Sequence, residues 1–378
     1  MKELGIYVHI PFCKEKCYYC DFISFPKKEE LMEKYVQALN KEIISKNNVN
    51  DYKITTIYIG GGTPSYINEI FIENILNSIL KNYNVTENAE ITIEVNPGTV
   101  NEQKLEKYKE IGINRLSIGL QSANNKLLKN IGRIHTFQDF LSTYELARRV
   151  GFKNINVDLM MGLPNQTIKD LEESIEIVIK LNPEHISVYS LILEEQTPFY
   201  KMFEENKIKL PTETKERKMY WKTKKILEEN NYIHYEISNF AKKDFESKHN
   251  LNCWNQKEYL GFGLAAHSYL NQKRFCNTDN LEKYIKNIEN NNIDENIEIL
   301  EKQLLKDTKK EYMLLSLRKI EGVNIKDFKN KFVDNPIFLY HKELEKLVRE
   351  KLVIIDGNFI RLTKKGLDLA NIVWEEFV

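Results

Sequence analysis

The amino-acid sequence predicts an α/β protein with parallel strands, followed by a smaller helical unit that ends in a hairpin. Two observations carry this. Short β-branched or apolar runs alternate with amphipathic helical patterns as far as about residue 280, and beyond that point the composition turns Asn- and Glu-rich. Six segments read as strands in order: "GIYVHI", "TTIYIG", "EITIEV", "RLSIGL", "NINVDL" and "HISVYS". Between the first two lies "EELMEKYVQALNKEIISK", where Leu31, Tyr35, Leu39 and Ile43 recur every fourth residue as one buried helical stripe. Strand and helix in alternation imply right-handed crossovers, giving either a doubly wound sheet or a barrel-like array with its chemistry at the C-terminal ends of the strands. After "NIENNNIDENIEIL" come further helical patterns and then "LVIIDGNFIRLT", two short strands about Asp356-Gly357. Helices followed by a hairpin have the order of a winged helix. The mixed charge of this segment argues against DNA, and the fold often serves only for packing.

Composition narrows the classes further. Of 378 residues, 42% are hydrophobic, enough for one large domain and a small one. Lysine plus arginine and aspartate plus glutamate each number 55, and the lysines are scattered, so no nucleic-acid partner is expected. The N-terminal "MKELGIYVHI" lacks a signal-like apolar run, and no window approaches the roughly 18 apolar residues of a membrane span. The expected compartment is the cytoplasm, where cysteines act as metal ligands or redox groups rather than as structural disulfides.

Within "HIPFCKEKCYYCDF" the cysteines Cys13, Cys17 and Cys20 fall in eight positions just after the first strand, while Cys253 and Cys276 lie far along the chain. Three thiols are one short of a closed zinc site and cannot all pair as disulfides. A cubane cluster held by three thiolates keeps one iron open to a small chelator. Zinc completed by His9 or Asp21 is the alternative, and the C-x3-C-x2-C spacing disfavours it. "YIGGGTPS" places Gly60, Gly61 and Gly62 directly after the second strand, where bare backbone can approach a ligand, without matching a dinucleotide or P-loop pattern. In "EITIEVNPG", Glu94 alternates with Ile93 and Val95 and so faces the opposite side of its strand.

The C-x3-C-x2-C motif with Tyr19 before its last cysteine resembles the signature of the radical S-adenosylmethionine superfamily. "YVHIPFCKEKCYYCDF", "GGGTPS", "EVNPG", "SIGLQS", "GRIHT" and "VDLMMGLP" together resemble the group that contains the oxygen-independent coproporphyrinogen III dehydrogenases and the heme chaperones. The resemblance implies a partial, six-unit (β/α) TIM-like barrel over residues 1–280 and a small helical, winged-helix-like C-terminal domain over 281–378. It implies a 4Fe-4S cluster on Cys13, Cys17 and Cys20, with S-adenosylmethionine on the open iron. An electron from the cluster can then cleave the sulfonium to methionine and a 5′-deoxyadenosyl radical. Tyr7, Tyr19, Gly61 and Glu94 would touch that S-adenosylmethionine. Gly62, Thr63, Gln121, Arg133 and Asp158 match positions that hold a second copy in the dehydrogenase, and by residue chemistry Asp158 suits ribose hydroxyls and Arg133 a carboxylate.

Two departures set the dehydrogenase apart. It carries a further cysteine two residues after the third, where this chain has Phe22, and an N-terminal extension, whereas twelve residues precede Cys13 here. "KHNLNCWNQKEYLGFGLAAHSY" resembles the heme-associated H-N-x-x-Y-W motif of the chaperones, with His249, Asn250 and Trp254 matching and Cys253 in the tyrosine position. Imidazole and thiolate both ligate heme iron, and an indole offers an aromatic face. His267 has a weaker case as a ligand, and His135, His185, His234 and His341 show no ligand spacing. The expected function is a heme chaperone that binds heme and passes it to an acceptor protein, with coproporphyrinogen dehydrogenation as the alternative. Expected partners are a heme acceptor that can be membrane-bound, which would bring the protein to a membrane periphery, and an electron donor such as flavodoxin or ferredoxin. A homo-oligomer is compatible with this reading.

Overall fold

The computed structural model describes residues 1–378. The six strands expected from the sequence are all present: β1 (Lys2–Ile10), β2 (Tyr52–Gly61), β3 (Val85–Val95), β4 (Arg115–Gln121), β5 (Ile155–Met161) and β6 (His185–Ser190). Each pairs in parallel with the next, so the array runs in chain order. Helices Met32–Ser45, Glu69–Asn82, Glu102–Glu110, Phe137–Val150 and Ile168–Leu181 return the chain between them. Their ends follow local chemistry. Thr136 with Asp139 and Thr167 with Asp170 form capping boxes, which satisfy the first free amides of two of these helices. Gly151 ends Phe137–Val150 at φ +98°, a conformation that excludes most side chains.

The sheet is wider than the six-strand reading. Asn239–Ala241 and Ile233–Glu236 extend it beyond β6, while Tyr259–Phe262, His267–Leu270, Lys273–Asn277 and Ile297–Lys302 extend it beyond β1, giving 12 strands in an open order. Residues on the helix-facing side are uniformly apolar and buried, among them Ile57, Ile59, Ile93, Ile118, Val157 and Ile186. The alternate, lumen-facing residues are polar: Thr56, Tyr58, Thr92, Glu94, Arg115, Ser117, Asn156, Asp158, His185 and Ser187. The barrel thus has a dry outer layer and a chemically equipped interior.

The boundary at residue 280 shifts. Helix Leu281–Glu289 buries Leu281, Tyr284, Ile285 and Ile288 in the large core, and Tyr284 donates a hydrogen bond to the buried Glu42 at 2.5 Å. Strand Ile297–Lys302 then pairs with Lys273–Asn277. The Asn- and Glu-rich texture therefore marks the solvated side of barrel elements, and a separate core of 17 residues gathers only from Tyr312 onward. That C-terminal core carries helices Leu305–Ser316, Ile325–Phe332 and His341–Arg349, and the expected hairpin, Val353–Asp356 with Phe359–Leu362, turns at Gly357. No helix of the chain is long and apolar enough to cross a membrane.

Candidate cofactor site

The cysteine loop is tied to the C-terminal ends of β1 and β2 by backbone. Gly62 N–H donates to Ile10 O at 2.8 Å and Thr63 N–H to Phe12 O at 2.8 Å, while Phe25 N–H donates to Pro11 O at 2.7 Å. A side chain completes the anchor. His9 Nε2 meets Ile23 O at 2.8 Å, and because a carbonyl can only accept, this nitrogen carries the proton and Nδ1 accepts from Tyr7 Oη at 3.0 Å. Burial lowers the His9 pKa to about 4, so the ring stays neutral in this role. With both nitrogens engaged, His9 is not available to complete a zinc site.

Cys13, Cys17 and Cys20 are free thiols and line one cavity of about 380 Å³ at the barrel mouth. Thr63 Oγ1 donates to Cys13 Sγ at 3.4 Å. Burial raises the Cys13 pKa and pushes Cys20 up to about 12, so binding of a metal, which needs thiolates, is what would deprotonate them. The same cavity is lined by Tyr19, Gly61, Gly62, Thr63, Glu94, Gln121, Arg133 and Asp158. Eleven of the residues singled out in the sequence thus converge there; Tyr7 stands just outside, coupled through His9.

Glu94 is the buried carboxylate of the cavity. Tyr58 Oη donates to its Oε1 at 2.9 Å and Gly61 N–H to its Oε2 at 3.1 Å, yet burial raises its pKa to about 7. Arg133 donates to Asn96 Oδ1 at 3.1 Å and Gly119 O at 3.2 Å, leaving its Nε buried without a partner. Burial likewise raises the Asp158 pKa, although Ser117 and Asn156 donate to it at 3.2 and 2.7 Å. Gln121 holds φ +67°, an uncommon backbone state for a side chain of its kind, at the point where β4 reaches the cavity. The glycines are required by close approach. A Cβ on Gly62 would sit 2.9 Å from Cys13 Sγ, and one on Gly119 would sit 2.6 Å from Arg133 Nη2. Tyr58, Asn96 and Ser117 lie inside quoted motifs but have no role assigned from sequence, and His9 has only that of a candidate zinc ligand; for Tyr58 and Ser117 inward alternation on their strands is the available signal.

The second group of expected residues is arranged differently. "KHNLNCW" is a helix, Lys248–Trp254, seated at the opposite, N-terminal end of the strands. His249 is buried, its Nδ1 3.0 Å from Thr56 Oγ1 and its ring centroid 5.2 Å from that of Tyr58. Cys253 lies four residues on, along the same helix face, and burial raises its pKa to about 11. Trp254 turns toward the C-terminal unit, where Arg318 sits 4.5 Å over its ring and 4.9 Å over that of Trp374. The imidazole and the indole do not face one shared space.

Three unpaired thiols after the first strand of a parallel array share one cavity with a glycine turn and a buried carboxylate. Family comparisons agree: residues 7–178 match the Radical SAM superfamily and residues 305–369 the HemN C-terminal domain. The chain belongs to the HemN/HemW group of the radical S-adenosylmethionine superfamily. It is 37% identical to the heme chaperone HemW of Lactococcus lactis subsp. lactis, over 100% of this chain and 98% of that protein. It is 38% identical to the heme chaperone HemW of Bacillus subtilis, over 98% of each. Among solved structures it is similar to coproporphyrinogen III oxidase (HemN) from Escherichia coli, with a TM-score of 0.87 and 24% identity over 100% of this chain and 90% of that one, a likeness of fold. Membership in the superfamily implies a 4Fe-4S cluster and S-adenosylmethionine. The residues present fit that pair: three free thiols in one wall, an unpartnered guanidinium nitrogen, a buried carboxyl, and a glycine turn with no room for a methyl.

Proposed function

We propose that this protein is a heme chaperone that carries a 4Fe-4S cluster on Cys13, Cys17 and Cys20 and S-adenosylmethionine beside it, and that it passes heme to an acceptor protein. The observation that carries the cofactor part is the convergence of the three thiols, the Gly61–Gly62 turn, Glu94 and Arg133 on one cavity. Bound there, the cluster and S-adenosylmethionine supply one-electron chemistry at a sulfonium. The chain's own residues hold the ligand: Glu94 receives an ammonium group, Arg133 a carboxylate, Asp158 hydroxyls. Support for heme as cargo comes from the full-length relatives named heme chaperone and from the His249–Trp254 helix. Because His249 is packed on Thr56 and Tyr58, ligation through it requires this helix to lift from the barrel end. Phe22 in place of a further cysteine favours the chaperone over the dehydrogenase.

The test offers anaerobically reconstituted protein heme and, separately, coproporphyrinogen III with S-adenosylmethionine and a reductant. The expected result is a stoichiometric Soret band with heme, diminished or shifted in His249→Ala or Cys253→Ala, and no decarboxylated product. Many turnovers to protoporphyrinogen IX would replace the chaperone by the dehydrogenase. An unchanged heme spectrum in the double variant would place the heme ligand elsewhere.

A further inference from the structure

One tyrosine ring stands between the cofactor cavity and the helix Lys248–Trp254. Tyr58 lines the cavity, where its Oη donates to Glu94 Oε1 at 2.9 Å, and its ring centroid is also 5.2 Å from that of the His249 imidazole, at 31° between the planes. The same two strands seat the helix. Thr56 of β2 meets His249 Nδ1 at 3.0 Å, and Glu90 of β3 accepts from the backbone amides of Lys248 and His249 at 3.1 and 3.0 Å. Glu94 follows four residues further along β3, so one strand holds both the helix and the cavity carboxylate. Tyr58 also stacks on Tyr7, whose hydroxyl donates to His9, the anchor of the thiol loop. The row is closely packed. A Cβ on Gly60 would stand 2.9 Å from Tyr58 Cε1 and 3.1 Å from Glu94 Cδ; one on Gly5 would stand 3.1 Å from Thr56 Oγ1 and 3.6 Å from His249 Cε1. Interiors packed in this way transmit a displacement instead of absorbing it. A hydrogen bond donated to a carboxylate is roughly twice as strong as one to a neutral acceptor. An ammonium group on Glu94 holds it ionised, which fastens Tyr58 and, through its ring, the seat of His249.

We propose that Tyr58 is a positioning residue that couples the two sites: a ligand whose ammonium group occupies Glu94 keeps the helix Lys248–Trp254 seated, and lifting the helix weakens that ligand by the same factor. The inference rests on the cofactor reading of the cavity and not on the identity of the cargo. For any molecule ligated by His249 the sign is antagonism, with that molecule and S-adenosylmethionine opposing each other from separate sites.

Hydrogen exchange of the full-length, anaerobically reconstituted protein with and without saturating S-adenosylmethionine provides the test, and calorimetric titration of the same sample reports binding separately. Amides of residues 248–255 should exchange several-fold more slowly with S-adenosylmethionine present, with no change over residues 325–332 of the C-terminal unit. Tyr58→Phe keeps the ring on His249 and removes the donor to Glu94, so at saturation its helix should exchange equally with and without the ligand. A merely structural tyrosine would shift exchange in both states and leave the ligand-dependent difference intact. His249→Ala, outside the cavity lining, should bind S-adenosylmethionine several-fold more weakly. Binding without any change in wild-type exchange would overturn the inference alone, whereas absence of binding would overturn the cofactor reading and the inference with it; neither result depends on a variant folding. Slowing that persists in Tyr58→Phe would overturn the part given to Tyr58.

Discussion

Gly62→Ala tests the geometry of the cysteine loop with a single methyl group. The added Cβ would stand 2.9 Å from Cys13 Sγ, 2.9 Å from Phe12 O and 3.0 Å from Ile10 O. Two of these neighbours are backbone carbonyls that accept the hydrogen bonds of Thr63 and Gly62 themselves, so relief cannot come from a rotamer change. The chain must part there, and overpacking of this kind costs about 1–3 kcal/mol. At 1.4 kcal/mol per factor of ten, that is roughly a 5- to 140-fold loss in whatever equilibrium needs the loop and the glycine turn together. The assay is iron and sulfide per chain after anaerobic reconstitution, followed by calorimetric titration with S-adenosylmethionine. Reduced cluster retention or an affinity lowered within that range is expected. Gly98→Ala is the control: nothing lies within 4 Å of its added methyl, and only its φ of +77° is strained. Full cluster content and unchanged affinity in Gly62→Ala would refute the reasoning, because the close approach would then have no bearing on the site.

Glu94→Gln should weaken S-adenosylmethionine binding by about tenfold or more, as expected for loss of a charge-assisted hydrogen bond worth roughly 1.5–3 kcal/mol. Since burial raises the Glu94 pKa to about 7, an ammonium ligand must displace a proton below that value; wild-type affinity should rise as pH increases through about 7, and a pH-independent titration would contradict this. His9→Phe removes the donor to Ile23 O and the acceptor for Tyr7 Oη. It should speed iron loss to a chelator several-fold while the fold melts within a few degrees of wild type; an unaltered rate would show the anchor to be dispensable. Arg318→Ala removes the cation shared by Trp254 and Trp374, and hydrogen exchange should increase over residues 248–256 with little change over residues 7–25.

Much of this architecture was readable because the chain alternates cleanly. Ile93 and Val95 against Glu94, or Val157 against Asn156 and Asp158, announce a strand with one dry and one polar face before any coordinate is known. The cysteines and glycines were legible for a related reason: their chemistry is local and their spacing is fixed. What escaped depended on contacts distant in sequence. His9 looked like a spare metal ligand until Ile23 and Tyr7 were found on its two nitrogens. Leu281–Glu289 read as the start of a new unit because its outer face is polar, while its inner face completes the barrel core through Tyr284 and Glu42. "HNLNCW" showed an imidazole, a thiol and an indole within six positions, and only the helix turn reveals that Trp254 faces another element. Arg115 gave no signal beyond its place in a strand, since one arginine at a strand start is ordinarily a surface residue.

The proposed 4Fe-4S cluster with one open iron on Cys13, Cys17 and Cys20 is tested most directly by electron paramagnetic resonance of the anaerobically prepared, reduced protein with and without S-adenosylmethionine. The expected spectrum is that of one 4Fe-4S cluster per chain whose g values shift when S-adenosylmethionine is added, with the signal lost in Cys13→Ala, Cys17→Ala or Cys20→Ala and kept in Cys276→Ala. A cluster signal indifferent to S-adenosylmethionine, or stoichiometric zinc without iron and sulfide, would contradict it.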